Sequence, residues 1–288
     1  MLDAVVVTHD LRAQALRCLR GLASSDCPPV HTILVDTGAD GTAAGIRAVE
    51  GLRVDTIECS DNPGFGGAAN IGVAASSAPL VLICNADTYP AHDALRKLVE
   101  HMQSEPDVAC TGPGLSNLDG SPQDAAFRFP GLAQAILDVW PVPDWLIRSR
   151  LNGRIRAEVA PVEIDHPLGA CMLMRRFAFD IVGGFAPEFW MYSEEIDICR
   201  RLKDAGWRVT HVPTAQVWHA GGASTRRHDA KMLAALYTSR FRWYRKHASP
   251  AVVVLALAAM RLGLFFRAHW PGPRRRAYAC ALEASRHV

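Results

Sequence analysis

The chain has 288 residues, of which 49% are hydrophobic, and a formal net charge of +2. This composition is ample for a hydrophobic core and fits one large α/β domain with an added segment, or two small domains. The eight cysteines include no CxxC pair, which argues against a zinc or disulfide framework and favours reduced core thiols. Asp3 precedes the first, short apolar run, so the start is unlike an export signal and we expect a cytoplasmic protein.

Charge is distributed unevenly along the chain. Residues 240–288 hold ten Lys and Arg against one acid, Glu283, whereas the rest holds 21 basic and 28 acidic residues. A concentrated basic segment indicates an anionic partner, either nucleic acid or a membrane. No nucleic-acid recognition motif surrounds the basic cluster, so we expect a membrane surface and no nucleic acid.

Four strand-then-turn units open the chain: "AVVVTHD", "TILVD", "LRVDTIECS" and "LVLICNAD". Helical stretches at 11–23 and 92–103 follow the first and the last, which indicates a doubly wound, mostly parallel α/β sheet flanked by helices. Each unit is followed by polar residues, which are Thr8, Asp36, Asn62, Asn85 and Asp87. Ligands of such sheets bind beyond the carboxyl ends of the strands, so these endings predict a site.

The stretch "NPGFGGAANIG", residues 62–72, has two interpretations. Glycines before a helix allow close approach to an anion at the helix N-terminus. A tight turn with small residues for helix packing explains the pattern equally well.

Asn85 and Asp87 end an apolar strand, again with two interpretations. Mg²⁺ and Mn²⁺ are held by one or two carboxylates together with substrate phosphates, so Asp87 suits a metal and Asn85 suits a ribose hydroxyl. The alternative is a polar turn that caps the next helix.

The middle of the chain predicts further elements. Residues 112–135 predict a long loop and a short helix, "HPLGACMLMRR" a buried strand, and "FAFDIVGGF" a short helix closed by glycines. Residues 193–205, "SEEIDICRRLKDA", predict a helix with Ser193 as N-cap and Gly206 as its end.

Three acids crowd the start of that helix: Glu194, Glu195 and Asp197. The helix dipole favours acids there, which is a structural explanation. The functional alternative is that one acid faces a cleft as a base, while Asp197 pairs with Arg201 at i,i+4.

His219 ends a short β-like run in "TAQVWHAGGAST" and is followed by two glycines. A lone histidine is more often packed or exposed than a ligand. In this context it is also a candidate to hold the same metal as Asp87 from the other side.

The C-terminal part predicts a helix over 228–247, then an apolar run, 251–260, that ends before Arg261. Spanning a bilayer takes about 20 mainly apolar residues. Three interpretations stay open for this segment. It spans the membrane, it lies in the interface beside Trp270 and Arg274–Arg276, or it packs on the core or on a second subunit.

These pieces occur in a specific order: "VVVTHD", Asp36, "NPGFGGAANIG", "LICNAD", "PLGACMLMRR", "VGGF", "EEIDICRRLKDAGWRV" and "VWHAGGAS". Over residues 3–247 the chain resembles the inverting family 2 glycosyltransferases with the GT-A fold. Within that family it resembles the bacterial rhamnosyltransferase-like group. Each motif is weak by itself, but the ordered set is specific.

The resemblance implies roles for single residues. Asn85 and Asp87 match the family's Asp-x-Asp motif in an Asn-x-Asp form, and Asp87 and His219 match the positions that bind Mg²⁺ or Mn²⁺. Glu195 matches the second acid of the family's Glu-Asp motif, where the catalytic base lies, with Glu194 as the alternative. The implied nucleotide-sugar-binding residues are Thr8, Asp36, Asn62, Asn85 and Asp87. Gly169 and Asp197 are expected to support the acceptor side.

The resemblance also implies a function and a layout. We expect a nucleotide-sugar-binding half (1–112), an acceptor and catalytic half of the same GT-A domain (113–225), and C-terminal membrane-associating helices (226–288). The implied reaction transfers L-rhamnose from dTDP-L-rhamnose, with inversion, to a glycan or polyprenyl-linked acceptor of cell-wall or polysaccharide synthesis. The alternatives are a UDP-galactofuranose or UDP-GlcNAc donor, or a non-catalytic subunit of a membrane complex. We expect a peripheral protein on the inner face of the bacterial cell membrane, with a homodimer left open.

Overall fold

The structure is a computed structural model that describes residues 1–46, 49–147, 149–157, 159–221 and 229–287. Within these ranges twelve strands form, which are β1 (Leu2–Thr8), β2 (His31–Asp36), β3 (Val54–Glu58), β4 (Leu80–Asn85), β5 (Thr88–Pro90), β6 (Val108–Ser116), β7 (Pro122–Gln123), β8 (Ala126–Phe127), β9 (Val162–Glu163), β10 (His166–Pro167), β11 (Cys171–Arg175) and β12 (Arg208–His219).

The same ranges contain eleven α-helices, which are α1 (Arg12–Ala23), α2 (Thr42–Gly45), α3 (Gly64–Ala75), α4 (Ala94–Ser104), α5 (Leu132–Leu137), α6 (Asp144–Ile147), α7 (Arg176–Ile181), α8 (Glu194–Asp204), α9 (Asp229–His247), α10 (Pro250–His269) and α11 (Arg275–Ala284). Short 3₁₀ helices cover Arg150–Asn152 and Ser285–His287.

In the described part of the chain one ten-stranded sheet has the order β3-β2-β1-β4-β11-β6-β12-β5, with β7 beside β6 and β9 beside β12. Strands β3, β2, β1 and β4 are parallel neighbours, as are β6 and β12. Strand β11 lies antiparallel between β4 and β6. The predicted doubly wound, mostly parallel sheet is confirmed. The predicted division after residue 112 falls inside β6.

The central strands bury both faces, which is why their sequences are continuously apolar. Successive side chains point to opposite sides of the sheet. Val6, Leu34 and Leu82 accordingly join one core cluster, beneath α1 and α4. Their neighbours Val5, Ile33 and Ile83 join a second cluster with α3 and α8. The carboxyl ends of β1 and β4 are thereby held side by side at one edge.

The C-terminal helices form a third core cluster with α5. Its largest fully buried side chains include Phe241 and Tyr244 of α9, and α10 contributes Leu257 and Met260. Residues 226–228 of the predicted C-terminal segment lie outside the described residues. Among the described residues one helix, α10, is long and apolar enough to cross a membrane, judged by length and composition alone. Its contacts with α5, α9 and α11 show that one face packs on the protein.

Candidate active site

A cavity of about 360 Å³ lies at the carboxyl ends of β1 and β4, within the size range of small-molecule sites. Most of the predicted site residues line it together: Thr8, Asn62, Asn85, Asp87, Gly169, Glu194, Glu195 and His219. Asp36 and Asp197 are not among the lining residues. The structure therefore gathers residues from six separate motifs around one cavity.

Asp87 and His219 meet because two strands pair. The short strand β5 starts just after Asp87 and runs antiparallel to the end of β12, with His219 opposite Thr88. His219 Nε2 lies 3.5 Å from Asp87 Oδ1, and both side chains are nearly buried. A backbone hydrogen bond joins the same two segments, since Ala220 N donates to Asp87 O at 3.0 Å.

Gln123 on β7 holds the other side of His219, and the sequence analysis missed it. Its Oε1 lies 2.9 Å from His219 Nδ1. Its Nε2 donates to Asn117 Oδ1 at 3.4 Å, which turns the amide oxygen towards the imidazole. In the tautomer that donates from Nδ1 to this amide oxygen, Nε2 carries a lone pair, and this is the form in which His219 can share a cation with Asp87.

This pair fits a divalent cation of the Mg²⁺ or Mn²⁺ kind. Among the described residues no third His, Cys, Asp or Glu completes a metal-binding group. A site with one carboxylate and one imidazole relies on substrate phosphate and water for its remaining ligands, as Mg²⁺ sites commonly do. The polar partner behind His219 is the support that metal-ligating histidines usually have.

The turn before α8 has a strained backbone. Tyr192 and Ser193 have φ values of 67° and 65°, in the left-handed region that residues with a side chain rarely adopt. Ser193 precedes the helix as predicted, but the prediction of a side-chain cap is wrong. Its hydroxyl makes no capping hydrogen bond and is buried with no partner among the described residues, because the left-handed backbone differs from the extended one that caps use. Such strain clusters at functional sites.

The two glutamates that start α8 have different surroundings. Glu194 is buried, and its Oε2 has no hydrogen-bond partner within the described residues. Burial, and next the charge of Glu195, raise the pKa of Glu194 well above its usual range. Glu195 is half-buried, and burial raises its pKa too, opposed by backbone N–H groups and by Arg240. A carboxylate with a raised pKa is suited to take up a proton near neutral pH.

Gly169 leaves room for Glu195. A Cβ atom at Gly169 would lie 3.4 Å from both Cβ and Cγ of Glu195. A methyl group at this position would therefore already touch Glu195, and a larger side chain would crowd its carboxylate. The residue after Gly169 is also bonded to the end of β4, since Asn85 N donates to Ala170 O at 2.9 Å.

Asp197 lies outside the cavity and ties α8 to α9. The predicted pair with Arg201 is present, with Arg201 Nε donating to Oδ2 at 2.8 Å. Lys246 Nζ and His247 Nε2 each lie 2.8 Å from Oδ1. Burial disfavours the charge, but the bonds from His247 and Lys246 and the charge of Arg201 outweigh it and lower the pKa of Asp197 to about 2.

The glycine-rich stretch serves close packing in this structure. Gly64 has φ +79°, and a Cβ there would lie 1.8 Å from Trp190 O. Gly64 N donates to Asn62 Oδ1 and Phe65 N donates to Trp190 O, so two N–H groups at the start of α3 are already paired. Of the two interpretations of this stretch, its contacts fit the tight turn with packed small residues.

The remaining polar residues at the strand ends have different roles. Thr8 lines the cavity, and its buried Oγ1 has no hydrogen-bond partner within the described residues, so it is available to a ligand. Asp36 instead accepts hydrogen bonds from Gly38 N and Ala43 N and organises its own turn. Thr37, which sequence reasoning did not single out, lines the cavity in its place.

An aromatic and cationic rim also lines the cavity. Trp190 lines the cavity and donates from Nε1 to Asn62 O at 3.0 Å. Lys231, near the start of α9, lies with Nζ 4.7 Å from the centre of the Trp190 ring. The aromatic run "FWMYS" before α8 predicts a wall against water and contains Trp190, whereas nothing local in the sequence marks Lys231. Gly222–Thr225, which follow His219 in the predicted loop, lie outside the described residues.

A sheet of this topology, with acids and a histidine around a cavity at its edge, defines a GT-A glycosyltransferase. The chain belongs to glycosyl transferase family 2, whose model matches residues 3–183. That assignment confirms the predicted family and makes the protein a glycosyltransferase.

Two relatives agree with the predicted group. An N-acetylglucosaminyl-diphospho-decaprenol L-rhamnosyltransferase of Mycobacterium tuberculosis is 30% identical over 259 residues, which cover 84% of this chain and 83% of the relative. The rhamnosyltransferase WbbL of Escherichia coli is 27% identical, over 64% of this chain and 67% of the relative.

Solved structures share the fold. One is the mannosyltransferase PcManGT from Pyrobaculum calidifontis in complex with GDP-Man and Mn²⁺. The match covers the whole of this chain and 75% of the mannosyltransferase chain, with a TM-score of 0.60 and 16% identity. GalNAc-T7 with UDP, GalNAc and Mn²⁺ has a TM-score of 0.59 and 17% identity, over 76% of this chain and 43% of its own.

The Asp197 cluster predicts a pH-dependent stability. A carboxylate with a lowered pKa stabilises the fold above its unfolded pKa of about 3.9, and this contribution is lost as the pH falls towards the folded value. Asp197→Asn should therefore lower the free energy of unfolding by on the order of 2 kcal/mol at pH 7. Denaturant unfolding at several pH values should show this difference shrinking below about pH 4.

Asp204→Asn is the matched control, since Asp204 pairs with Arg200 on the same helix but is exposed. An exposed pair contributes well below about 1 kcal/mol, so this variant should behave like the unaltered protein. Equal losses in the two variants would contradict the assignment of the stability to the buried cluster.

Proposed function

We propose that this glycosyltransferase moves L-rhamnose from dTDP-L-rhamnose to a hydroxyl of a lipid-linked saccharide, with inversion. The observation that carries the proposal is one cavity lined both by Asp87 and His219 and by the Glu194–Glu195 pair. The donor and acceptor rest on the relative that acts as an N-acetylglucosaminyl-diphospho-decaprenol L-rhamnosyltransferase. The competing donors are UDP-galactofuranose and UDP-GlcNAc.

A divalent cation, Mg²⁺ or Mn²⁺, is part of the proposal. Asp87 and His219 would hold it, and Gln123 would keep the Nε2 lone pair of His219 towards it. The bound cation would neutralise charge on the departing nucleoside diphosphate. Lys231 at the rim would add a second positive charge for the same diphosphate.

The protein's own groups would do the rest. Thr8, Asn62 and Asn85 would bind the donor, while Trp190 and Tyr192 would limit the access of water. The acceptor hydroxyl would attack the anomeric carbon on the face opposite the leaving diphosphate, and its proton would pass to Glu195. Holding both substrates in line removes up to about 7–11 kcal/mol of the barrier in favourable cases.

The proposed location is the cytoplasmic face of the cell membrane, with the chain as a peripheral protein. A lipid-linked acceptor is confined to a bilayer, so the enzyme has to work at its surface. The excess of Lys and Arg in residues 240–288 supports this location, because anionic lipids attract such segments.

A donor screen tests the function. With Mn²⁺ present, dTDP-L-rhamnose should raise the melting temperature by several degrees, since a ligand at 100 times its Kd stabilises by about 2.7 kcal/mol. UDP-galactofuranose and UDP-GlcNAc should give smaller shifts. Slow release of free rhamnose without acceptor should distinguish an enzyme from a non-catalytic subunit.

Asp87→Ala is the control, and it should remove the part of the shift that depends on Mn²⁺. If a UDP-sugar raises the melting temperature more than dTDP-L-rhamnose does, that UDP-sugar is the donor. Donor binding without hydrolysis or transfer would favour the non-catalytic alternative.

Glu195→Gln tests the base. Glu195 is proposed to act only while the proton moves, so kcat should fall about 10²–10⁴-fold while the donor Kd stays nearly unchanged. Steady-state transfer and calorimetric donor binding would measure the two quantities. Glu194→Gln is the comparison, because Glu194 is buried beside it. If Glu194→Gln abolishes transfer while Glu195→Gln remains active, the base is Glu194.

Gln123→Met tests the support of His219. Loss of a group that orients a ligating histidine costs about 10–100-fold in metal affinity, and Met keeps the approximate length of Gln without accepting a strong hydrogen bond. Mn²⁺ titration by electron paramagnetic resonance, with the nucleoside diphosphate present, should show this loss, whereas Gln103→Met on the exposed face of α4 should not. Equal affinity in both variants would remove Gln123 from the site.

A further inference from the structure

Helix α10 has two faces of the same apolar chemistry but different surroundings. One face carries Ala256, Leu257, Met260 and Leu264, all buried against the third core cluster. The other face is exposed along the whole helix, and its residues are Ala251, Val254, Leu255, Ala258, Leu262, Phe265 and Phe266, with His269 at its C-terminal end. This spacing of three and four residues forms one continuous stripe. We call it the α10 stripe.

The α10 stripe contains no Lys, Arg, Asp or Glu. Val254 is 68% exposed and Leu262 is 50% exposed. The two arginines of α10 turn inwards instead: Arg261 Nη2 donates to Ser285 O at 2.9 Å and Arg267 Nε donates to Val139 O at 3.0 Å. Contiguous exposed apolar surface of this kind marks a site of interaction with a membrane or a protein.

Groups typical of a membrane interface stand at the end of the stripe. Trp270 is 73% exposed, and Arg274, Arg275 and Arg276 follow it, all exposed. Arg275 Nε donates to Ala268 O at 3.1 Å, which keeps this cluster beside the end of α10. Trp sits at the level of lipid headgroups, and clustered arginines attract anionic lipids.

The packing argues against a helix that crosses the bilayer. A spanning α10 would have to leave the core cluster and break the inward bonds of Arg261 and Arg267. It would also break the bond from Trp140 Nε1 to Ala259 O at 3.1 Å. A helix that keeps these contacts and lies in the interface buries the stripe alone.

We propose that the α10 stripe, with Trp270 and Arg274–Arg276, is the surface that docks on an anionic bilayer, with α10 parallel to the membrane plane. The inference extends the proposed peripheral location by naming the surface and the lipid charge that it requires. The same helix pair reaches the cavity, because α9 runs from Lys231 at the rim to Lys246 and His247 on Asp197, directly before α10. Docking through α10 therefore sets the position of the cavity relative to the bilayer.

The test uses the full chain and vesicles of phosphatidylcholine with phosphatidylglycerol. The double variant Leu255→Gln and Leu262→Gln should weaken co-sedimentation about tenfold or more, since two exposed apolar side chains no longer enter the interface. Arg274→Gln with Arg276→Gln should weaken binding about fivefold per arginine, and only to vesicles that contain phosphatidylglycerol. High salt should weaken binding of the unaltered protein as the arginine variant does, and it should not reproduce the loss caused by the leucine variant.

Val30→Gln with Ile181→Gln is the control, because these side chains are similarly exposed but lie elsewhere. It should bind vesicles like the unaltered protein. Unchanged binding of the Leu255 and Leu262 double variant would overturn the proposal. So would an unaltered protein that ignores vesicles and forms a dimer that the same double variant dissociates. Vesicle binding needs no donor or acceptor, so a protein that binds vesicles but transfers no sugar would refute the proposed reaction and leave this surface standing.

Discussion

The antiparallel pairing of β5 with the end of β12 is the constraint on which the site depends. It joins two segments that are far apart in sequence and sets His219 beside Asp87, with 3.5 Å between Nε2 and Oδ1. Gln123 follows from the same arrangement, because β7 pairs with β6, the neighbour of β12. Without this edge of the sheet, Asp87 would be a polar turn residue at the end of a strand. With it, Asp87 becomes half of a ligand pair.

The other wall of the cavity contains two carboxylates, whose desolvation is unfavourable by itself. Two adjacent glutamates at the start of α8 are both desolvated, and burial raises the pKa of each. Such a pair is tolerated only where the rest of the structure compensates. The Asp197 cluster two residues later anchors the same helix through Arg201, Lys246 and His247. Tyr192 and Ser193, which have left-handed backbone, directly precede the two glutamates. Stability from Asp197 thus offsets strain and desolvation beside the cavity.

The sequence predicted what local patterns determine. The first four strands, the positions of Asn85 and Asp87 at the end of β4, and the Asp197–Arg201 pair all follow from spacing within a few residues. It did not predict what distant pairings determine. The antiparallel direction of β11 depends on its neighbours β4 and β6 and leaves no mark in an apolar run. Gln123 sits on a strand of two residues, which shows no periodicity. Ser193 was wrong as a cap because tertiary contacts, and not the local sequence, set its backbone. Asp36 organises its own turn, which a family motif does not reveal.

The C-terminal segment shows why apolar content alone did not assign α10. Its residues are apolar on both faces, so the sequence left open a helix that spans the membrane, one that lies in the interface and one that packs on the protein. The structure separates the two faces, because α5, α9 and α11 cover one and leave the other exposed. Soluble helices with a covered face normally carry polar residues on the other, whereas the exposed face of α10 is apolar until His269 in its last turn. Its two arginines are engaged with backbone carbonyls on the inner side, where they satisfy acceptors near Val139 and Ser285. The helix therefore completes the protein core on one side and keeps on the other a surface that water solvates poorly.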